Sequence, residues 1–313
     1  MAVKATRQSF GETIAKVAEK NLEVVVMDAD LGKSTMTGEF RKKFPDRYFE
    51  MGIAEQNLIG TAAGLSLGGK IPFATSFACF LAGRYETVRM SVSYSKTNVK
   101  MVGTHAGVGI GEDGNSQMGL EDISILRSLP NIVILQPADD IETQKAVEWS
   151  AKHVGPVYLR LTRQKVQDIH GENYQFEYGK GDVLKKAKGG KAAVCVFATG
   201  GVVYNALKAI GELEKEGVEA TLVNIHTLKP IDEELIRALA GQSSRVVTIE
   251  DHNITGGLGS AVCEVVAGTG LPVNVFRHGV HGFGESGNPE ALYEKFGFSI
   301  PKIKEFILKA VHS

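Results

Sequence analysis

Glu55 lies in the stretch FEMGIAEQNLIGTAAGLSLGGKIPFATSFACF, residues 49–80, with Ile53, Ala54, Leu58, Ile59, Ala62 and Ala63 around it. A carboxyl group among apolar neighbours tends toward a raised pKa and can be held protonated. Phe77 and Phe80 follow, three apart, and share a face if the segment turns helically. An acid beside two rings suits a flat heteroaromatic ligand that needs one hydrogen bond at its edge. The same residues allow a plainer reading: an acid at a helix N-terminus, favoured ionised by the dipole, beside core phenylalanines.

Other candidates lie further from Glu55. Arg163 follows a predicted strand at its carboxyl end, where open α/β sheets place ligands. Arg7, by itself, reads as a surface charge before a helix, and Ser34 as a cap for a helix near residues 35–40. The loop THAGVGIGEDGNSQMG carries His105, Asp113 and Gln117. Its glycines, and those of Gly256-Gly257-Leu258-Gly259, suggest nucleotide loops, but neither shows the full dinucleotide fingerprint. The second reads as the start of a helix. His226, His252, His278 and His281 lack metal-ligand spacing.

These residues need positioning elements. The pattern predicts helices over residues 5–20, 54–67, 85–93, 120–129 and 139–152. It predicts strands over 22–27, 71–75, 98–103, 132–135 and 156–161. The 54–67 segment has little charge after Glu55, which predicts a buried helix. Alternating strands and helices argue for a doubly wound, mostly parallel sheet. A polar, glycine-dotted stretch then reads as a linker with room for a hairpin. A second α/β unit follows, with strands over 193–198, 218–225, 245–249 and 272–276 and helices between and after them. We therefore expect a domain at 1–165, a linker at 166–190 and a smaller domain at 191–313.

Composition narrows the class. A chain of 313 residues suggests about two domains. The net charge of −1 gives no global basic field for nucleic acid or acidic lipid. Cys79, Cys195 and Cys263 lie far apart and read as free thiols in a reducing compartment. No signal-peptide core opens the chain and no run could span a bilayer, so the expected location is cytoplasmic.

MGIAEQN, PFATSFACF, THAGVGIGEDGNSQMGLED, SLPN and QPADD together resemble the pyrimidine-binding domain of transketolase. LTRQ, HTLKPID and EDHNITGGLGSAV extend the resemblance into a transketolase C-terminal domain. The GEDGNSQ loop is the most specific part, since related thiamine enzymes share IAEQ but differ there. No GDG segment is present, and the chain starts where the pyrimidine-binding domain of longer enzymes begins. The resemblance therefore implies the C-terminal subunit of a split transketolase, working with a diphosphate-binding N-terminal subunit in a heterotetramer. A deoxyxylulose phosphate synthase-like half and a 2-oxo acid dehydrogenase β subunit are the rival families. A regulatory protein with an inactive pyrimidine domain is the non-enzyme rival.

The resemblance implies thiamine diphosphate as cofactor, with Mg²⁺ held mainly by the partner. Glu55 would meet the pyrimidine nitrogen, and Phe77 and Phe80 would stack on the ring. Asp30 and Ile53 count among the implied cofactor contacts. Arg7, Ser34 and Arg163 match the family's phosphate-binding set. His105 would contact the substrate near the reacting carbon, and Asp113 and Gln117 would bond its hydroxyls. A third aromatic of some relatives falls at Gly83, where this chain departs; Tyr85 stands nearby. The implied reaction moves a two-carbon ketol unit from xylulose 5-phosphate to ribose 5-phosphate or erythrose 4-phosphate, in the pentose phosphate pathway.

Overall fold

A computed structural model describes residues 3–188, 192–243 and 245–313. The last positions of the expected linker, 189 and 190, and the first of the second domain, 191, lie outside the described residues.

The apolar runs form two sheets. The first has seven strands, in the order Thr227–Lys229, Val133–Leu135, Val157–Arg160, Lys100–Thr104, Ile71–Phe77, Val24–Asp28 and Tyr48–Glu50. All pair in parallel except Thr227–Lys229, which runs antiparallel along the edge beside Val133–Leu135. That edge strand comes from HTLKPID, so a segment from the second half of the chain completes the first sheet. The second sheet runs Asn274–Val280, Arg245–Asn253, Val194–Thr199, Ala220–Asn224 and Asp182–Lys185, with only the last antiparallel.

Alternation along the strands sends side chains to two faces. Val24, Val26, Phe73 and Val157 pack with Phe10 and Ile14 of the Thr6–Lys20 helix and Val147 of Asp140–Lys152. Met27, Ala74 and Met101 pack with Leu58, Ile59 and Ala62 of Glu55–Leu67. That second cluster continues into Phe197, Val223 and Val262, so one apolar core joins both sheets. Arg160 spans the same junction: its Nε donates to Asp122 Oδ2 (2.8 Å), and its Nη2 donates to the carbonyls of Gly119 (2.8 Å) and Asp251 (3.1 Å). Removing either charge of a fully buried pair costs about 3–5 kcal/mol, because the other is left uncompensated.

Three expectations change. The Glu55–Leu67 helix is half-buried: Gln56, Asn57, Gly60, Gly64 and Leu67 are exposed. Low charge did not mean burial because that face carries small and amide residues. The expected 85–93 helix is α-helical only at Tyr85–Thr87 and widens to a π-helix over Val88–Tyr94. There Ser95 and Thr97 hydroxyls take the carbonyls of Met90 (2.8 Å) and Ser91 (2.9 Å), offering the turn alternative partners. The linker makes no hairpin among the described residues. Lys165–Gln167 pairs with Val3–Ala5, and Asp182–Lys185 joins the second sheet. Between them His170 sits between Asp139 (2.8 Å) and Asp182 (3.0 Å), tying the segment to both sheets.

Candidate active site

The first sheet's strands deliver the candidate residues at their carboxyl ends. Phe77 closes Ile71–Phe77, His105 follows Lys100–Thr104, and Arg163 follows Val157–Arg160. The loop after Val24–Asp28 carries Asp30 and Ser34. In parallel sheets this edge is where ligands bind.

Glu55 opens its helix and is 6% exposed. Ser76 Oγ donates to Glu55 Oε1 at 3.0 Å. Phe77 is buried and Phe80 half-buried, with nearly parallel rings 5.5 Å apart. Phe77 also stacks with His105, the ring centroids 3.7 Å apart.

His105 has a left-handed backbone (φ 59°), an uncommon state for a residue with a side chain. Arg7 Nη1 donates to His105 Nε2 at 3.0 Å. Arginine has no acceptor, so Nε2 accepts, and the proton sits on Nδ1, 2.9 Å from Thr104 Oγ1. Burial first, then the charges of Arg7 and Arg163, lowers the His105 pKa to about 3. The imidazole is therefore neutral near neutral pH.

Arg7 Nη1 also donates to the Ser34 carbonyl at 2.8 Å, and its Nε is buried without a partner among the described residues. The Arg7 pKa falls, through burial first and then the nearby positive charge of Arg163. Both guanidiniums line one cleft, and paired positive charges of this kind suit an anion. Arg163 donates to the Ile110 carbonyl, lies 3.3 Å from Glu112 and reaches within 3.8 Å of Asp113. A cleft of about 860 Å³ opens between the domains beside these groups, lined by Arg7, Gly109, Arg163, Tyr204, Pro289 and Tyr293.

Thus Glu55, Phe77, Phe80, His105, Arg7 and Ser34 join through direct contacts or one intervening residue, with Arg163 and Asp113 alongside. Gln117 meets the cluster by its backbone, its carbonyl receiving the Cys79 thiol at 3.3 Å. Asp30 and Ile53 stand at the surface, Ile53 at 85% exposure. Ser34 is not a helix cap: the helix is Gly38–Lys43, and Thr37 occupies its N-cap.

Sequence reasoning missed Asp28. This buried carboxylate accepts from Leu31 N–H (2.6 Å) and from the hydroxyls of Thr35 (2.6 Å), Thr75 (2.6 Å) and Thr37 (3.2 Å), shaping the loop that carries Ser34. Its signal was a charge ending an otherwise apolar strand. The second glycine turn does open a helix, Leu258–Ala267. Glu250 already fills that N-terminus, accepting from Leu258 (2.6 Å) and Gly259 (2.8 Å).

Comparison with known proteins places the chain in a family. Residues 2–168 match the family described as transketolase, pyrimidine binding domain, and residues 181–303 match transketolase, C-terminal domain. A Methanocaldococcus jannaschii protein named for a transketolase C-terminal section is 43% identical over 310 residues, covering 98% of this chain and 96% of that protein. A 6-deoxy-6-sulfo-D-fructose transketolase subunit from Clostridium sp. (strain MSTE9) is 39% identical, covering 95% and 91%. Rattus norvegicus transketolase is 36% identical, but the matched region is 48% of its length. Among solved structures, one described as a split gene transketolase, inactive beta4 tetramer, superposes with a TM-score of 0.90 at 42% identity, covering 99% of both chains.

Proposed function

The chain belongs to the transketolase family, and from that premise we propose that it is the C-terminal subunit of a two-component transketolase. In this reading residues 1–165 form the pyrimidine-binding domain, 166–190 the linker and 191–313 the C-terminal domain. The observation that carries the proposal is the convergence, at one sheet edge, of an acid–ring end at Glu55, Phe77 and Phe80 with a cationic end at Arg7 and Arg163. His105 joins the two ends, stacked on Phe77 and bonded to Arg7.

The residues present fit thiamine diphosphate: a nearly buried carboxyl accepts from Ser76, the residue next to Phe77, whose ring lies near-parallel to that of Phe80. When bound, the cofactor supplies the nucleophilic carbon for ketol transfer. Glu55 would hold a proton at the pyrimidine nitrogen, and Phe77 and Phe80 would fix the plane of that ring. Asp30 and Ile53, both exposed, would complete the cofactor site from the surface that faces the partner. Arg7 and Arg163 would take the sugar phosphate, with Ser34 beside them. Once Arg7 turns to the phosphate, His105 Nε2 is free to accept from a substrate hydroxyl, with Asp113 and Gln117 reading others. We place Mg²⁺ and the diphosphate on a partner subunit, in a heterotetramer.

The exposed face of Gln56, Gly60, Gly64 and Leu67, near in sequence to exposed Ile53, supports a partner. Xylulose 5-phosphate is the proposed donor and ribose 5-phosphate or erythrose 4-phosphate the acceptor, in the cytoplasmic pentose phosphate pathway. The names of two relatives point to other ketoses, 6-deoxy-6-sulfo-D-fructose and apulose 4-phosphate, so the donor panel should include both. The test is to supply the purified chain with thiamine diphosphate, Mg²⁺ and sugar phosphates, with and without a diphosphate-binding subunit. Turnover only with the second subunit supports the proposal. Robust turnover by the chain alone sinks the two-component reading.

A further inference from the structure

The substrate-side loop rests on the C-terminal domain. Asp251, buried near the end of Arg245–Asn253, accepts the Val108 N–H on Oδ1 at 2.8 Å. Its Oδ2 accepts from Tyr293 Oη at 3.0 Å. The Tyr293 hydroxyl in turn receives Gln164 Nε2, one residue from Arg163. The glycines record how closely the parts fit. A Cβ at Gly107 (φ 87°) would collide with the Asp251 carboxylate, and one at Gly109 with the Gln164 carboxamide. One at Gly111 would lie 2.8 Å from Pro289, on the helix that carries Tyr293. Further along, Asn115 Oδ1 receives the Gly284 N–H at 2.9 Å.

One carboxylate in the second domain therefore holds two pieces of the site. Through Val108 it fixes the loop between His105 and Asp113. Through Tyr293 and Gln164 it fixes the turn that presents Arg163. We propose that Asp251, Tyr293 and Gln164 are positioning residues by which the C-terminal domain sets the spacing between Asp113 and Arg163, and so the grip on the phosphorylated end of the ketose. This rests on the transketolase reading. It gives the C-terminal domain a part in substrate recognition, though none of the three groups need touch the substrate.

The relay makes a specific demand on chemistry. Tyr293 Oη must donate to Asp251 while accepting from Gln164. Tyr293→Phe removes both bonds and keeps the ring. Asp251→Asn keeps an acceptor for Val108 but presents an N–H where the tyrosine proton needs an oxygen. Both variants are tested in the complex with the diphosphate-binding subunit. For Tyr293→Phe the expected result is a KM for phosphorylated ketose raised about tenfold or more, from the loss of two hydrogen bonds, one of them to a carboxylate. Its kcat, and its KM for hydroxypyruvate, which has no phosphate, should stay within about twofold. Asp251→Asn should move the same parameter in the same direction.

Amide hydrogen exchange on the isolated chain supplies a readout that needs no catalysis. Residues 107–117 should exchange about tenfold faster in Tyr293→Phe, while the Val24–Asp28 strand stays protected. Unchanged exchange in that loop would overturn the clamp. Faster exchange with an unchanged KM for phosphorylated ketose would overturn the positioning role. Equal losses on both donors, with a lower melting temperature, would show general destabilisation and overturn it too. If the wild-type complex transfers no ketol unit, the functional reading falls, and the exchange result alone decides whether the clamp exists.

Discussion

At the carboxyl edge of the second sheet, most polar groups are met within the chain, although Asn224 Oδ1 is buried without a partner among the described residues. Glu250 takes two N–H groups of its own following helix, Thr199 donates to the Ile225 carbonyl (2.8 Å), and Asn224 donates to Glu142 (2.9 Å). At the same edge of the first sheet, the groups are left poised. Arg7 Nε has no partner among the described residues, His105 is held neutral in a left-handed backbone, and Phe80 is half-open. The two sheets obey the same winding rule, so the architecture by itself does not decide where ligands go. The difference lies in whether the polar groups at the strand ends are met by the chain or offered outward.

Matched substitutions of the two buried glutamates test this most strongly. Glu55→Gln should leave the fold intact and lower turnover by about a thousandfold or more, since an amide cannot supply the acid proton. The check is deuterium exchange at the thiazolium carbon of thiamine diphosphate in the reconstituted complex, followed by NMR; wild-type exchange rates would remove Glu55 from that role. Glu250→Gln should do the reverse. Turnover per folded molecule should stay within about twofold while stability drops by about 1 kcal/mol, because one of the two helix N–H groups loses its carboxyl oxygen acceptor. If Glu250→Gln silenced the enzyme with its fold intact, the contrast between the two edges would fail.

The next effect concerns the cationic end. Arg163→Ala or Arg7→Ala should weaken phosphorylated donors by about 1.5–3 kcal/mol, the worth of a charge-assisted bond. Hydroxypyruvate should be affected much less. Steady-state kinetics with both donors separates the cases, and equal losses would make these arginines structural.

Much of this contrast was legible in the residues. Apolar runs located the parallel strands, and the resemblance attached Glu55, Phe77, His105 and Arg163 to one site. What escaped were interactions between distant segments. Asp251 and Val108 are 143 positions apart, and nothing local says that one carboxylate will hold the other's loop. Asp28 escaped for a related reason: its three hydroxyl partners come from a loop and a neighbouring strand. The exposed face of the Glu55–Leu67 helix was misread because glycine and amide residues carry no charge, so its pattern is that of burial. Periodicity reports which side chains avoid water; it does not report which surfaces await another chain.

The smallest effect separates the two edges by the sign of their pH dependence. His105 has a folded pKa near 3, below its ordinary 6.5, with burial as the main cause. Between these values the unfolded chain binds more protons, so the stability His105 contributes is present above pH 6.5 and is lost as pH falls toward 3. Glu250 is shifted the other way, up to about 7 from 4.5, again chiefly by burial. Between these values the folded chain binds more protons, so its contribution is full at low pH and is lost as pH rises through 7. His105→Asn should therefore close its stability gap to wild type on acidification from pH 7 to 5, and Glu250→Gln should widen its gap over the same range. Each change should be on the order of 1 kcal/mol, since a full proton of difference is worth about 1.4 kcal/mol per pH unit. Urea midpoints of the isolated chain at pH 5 and pH 7 measure both. Shifts of the same sign in the two variants would mean that the edges do not differ in protonation as their surroundings require.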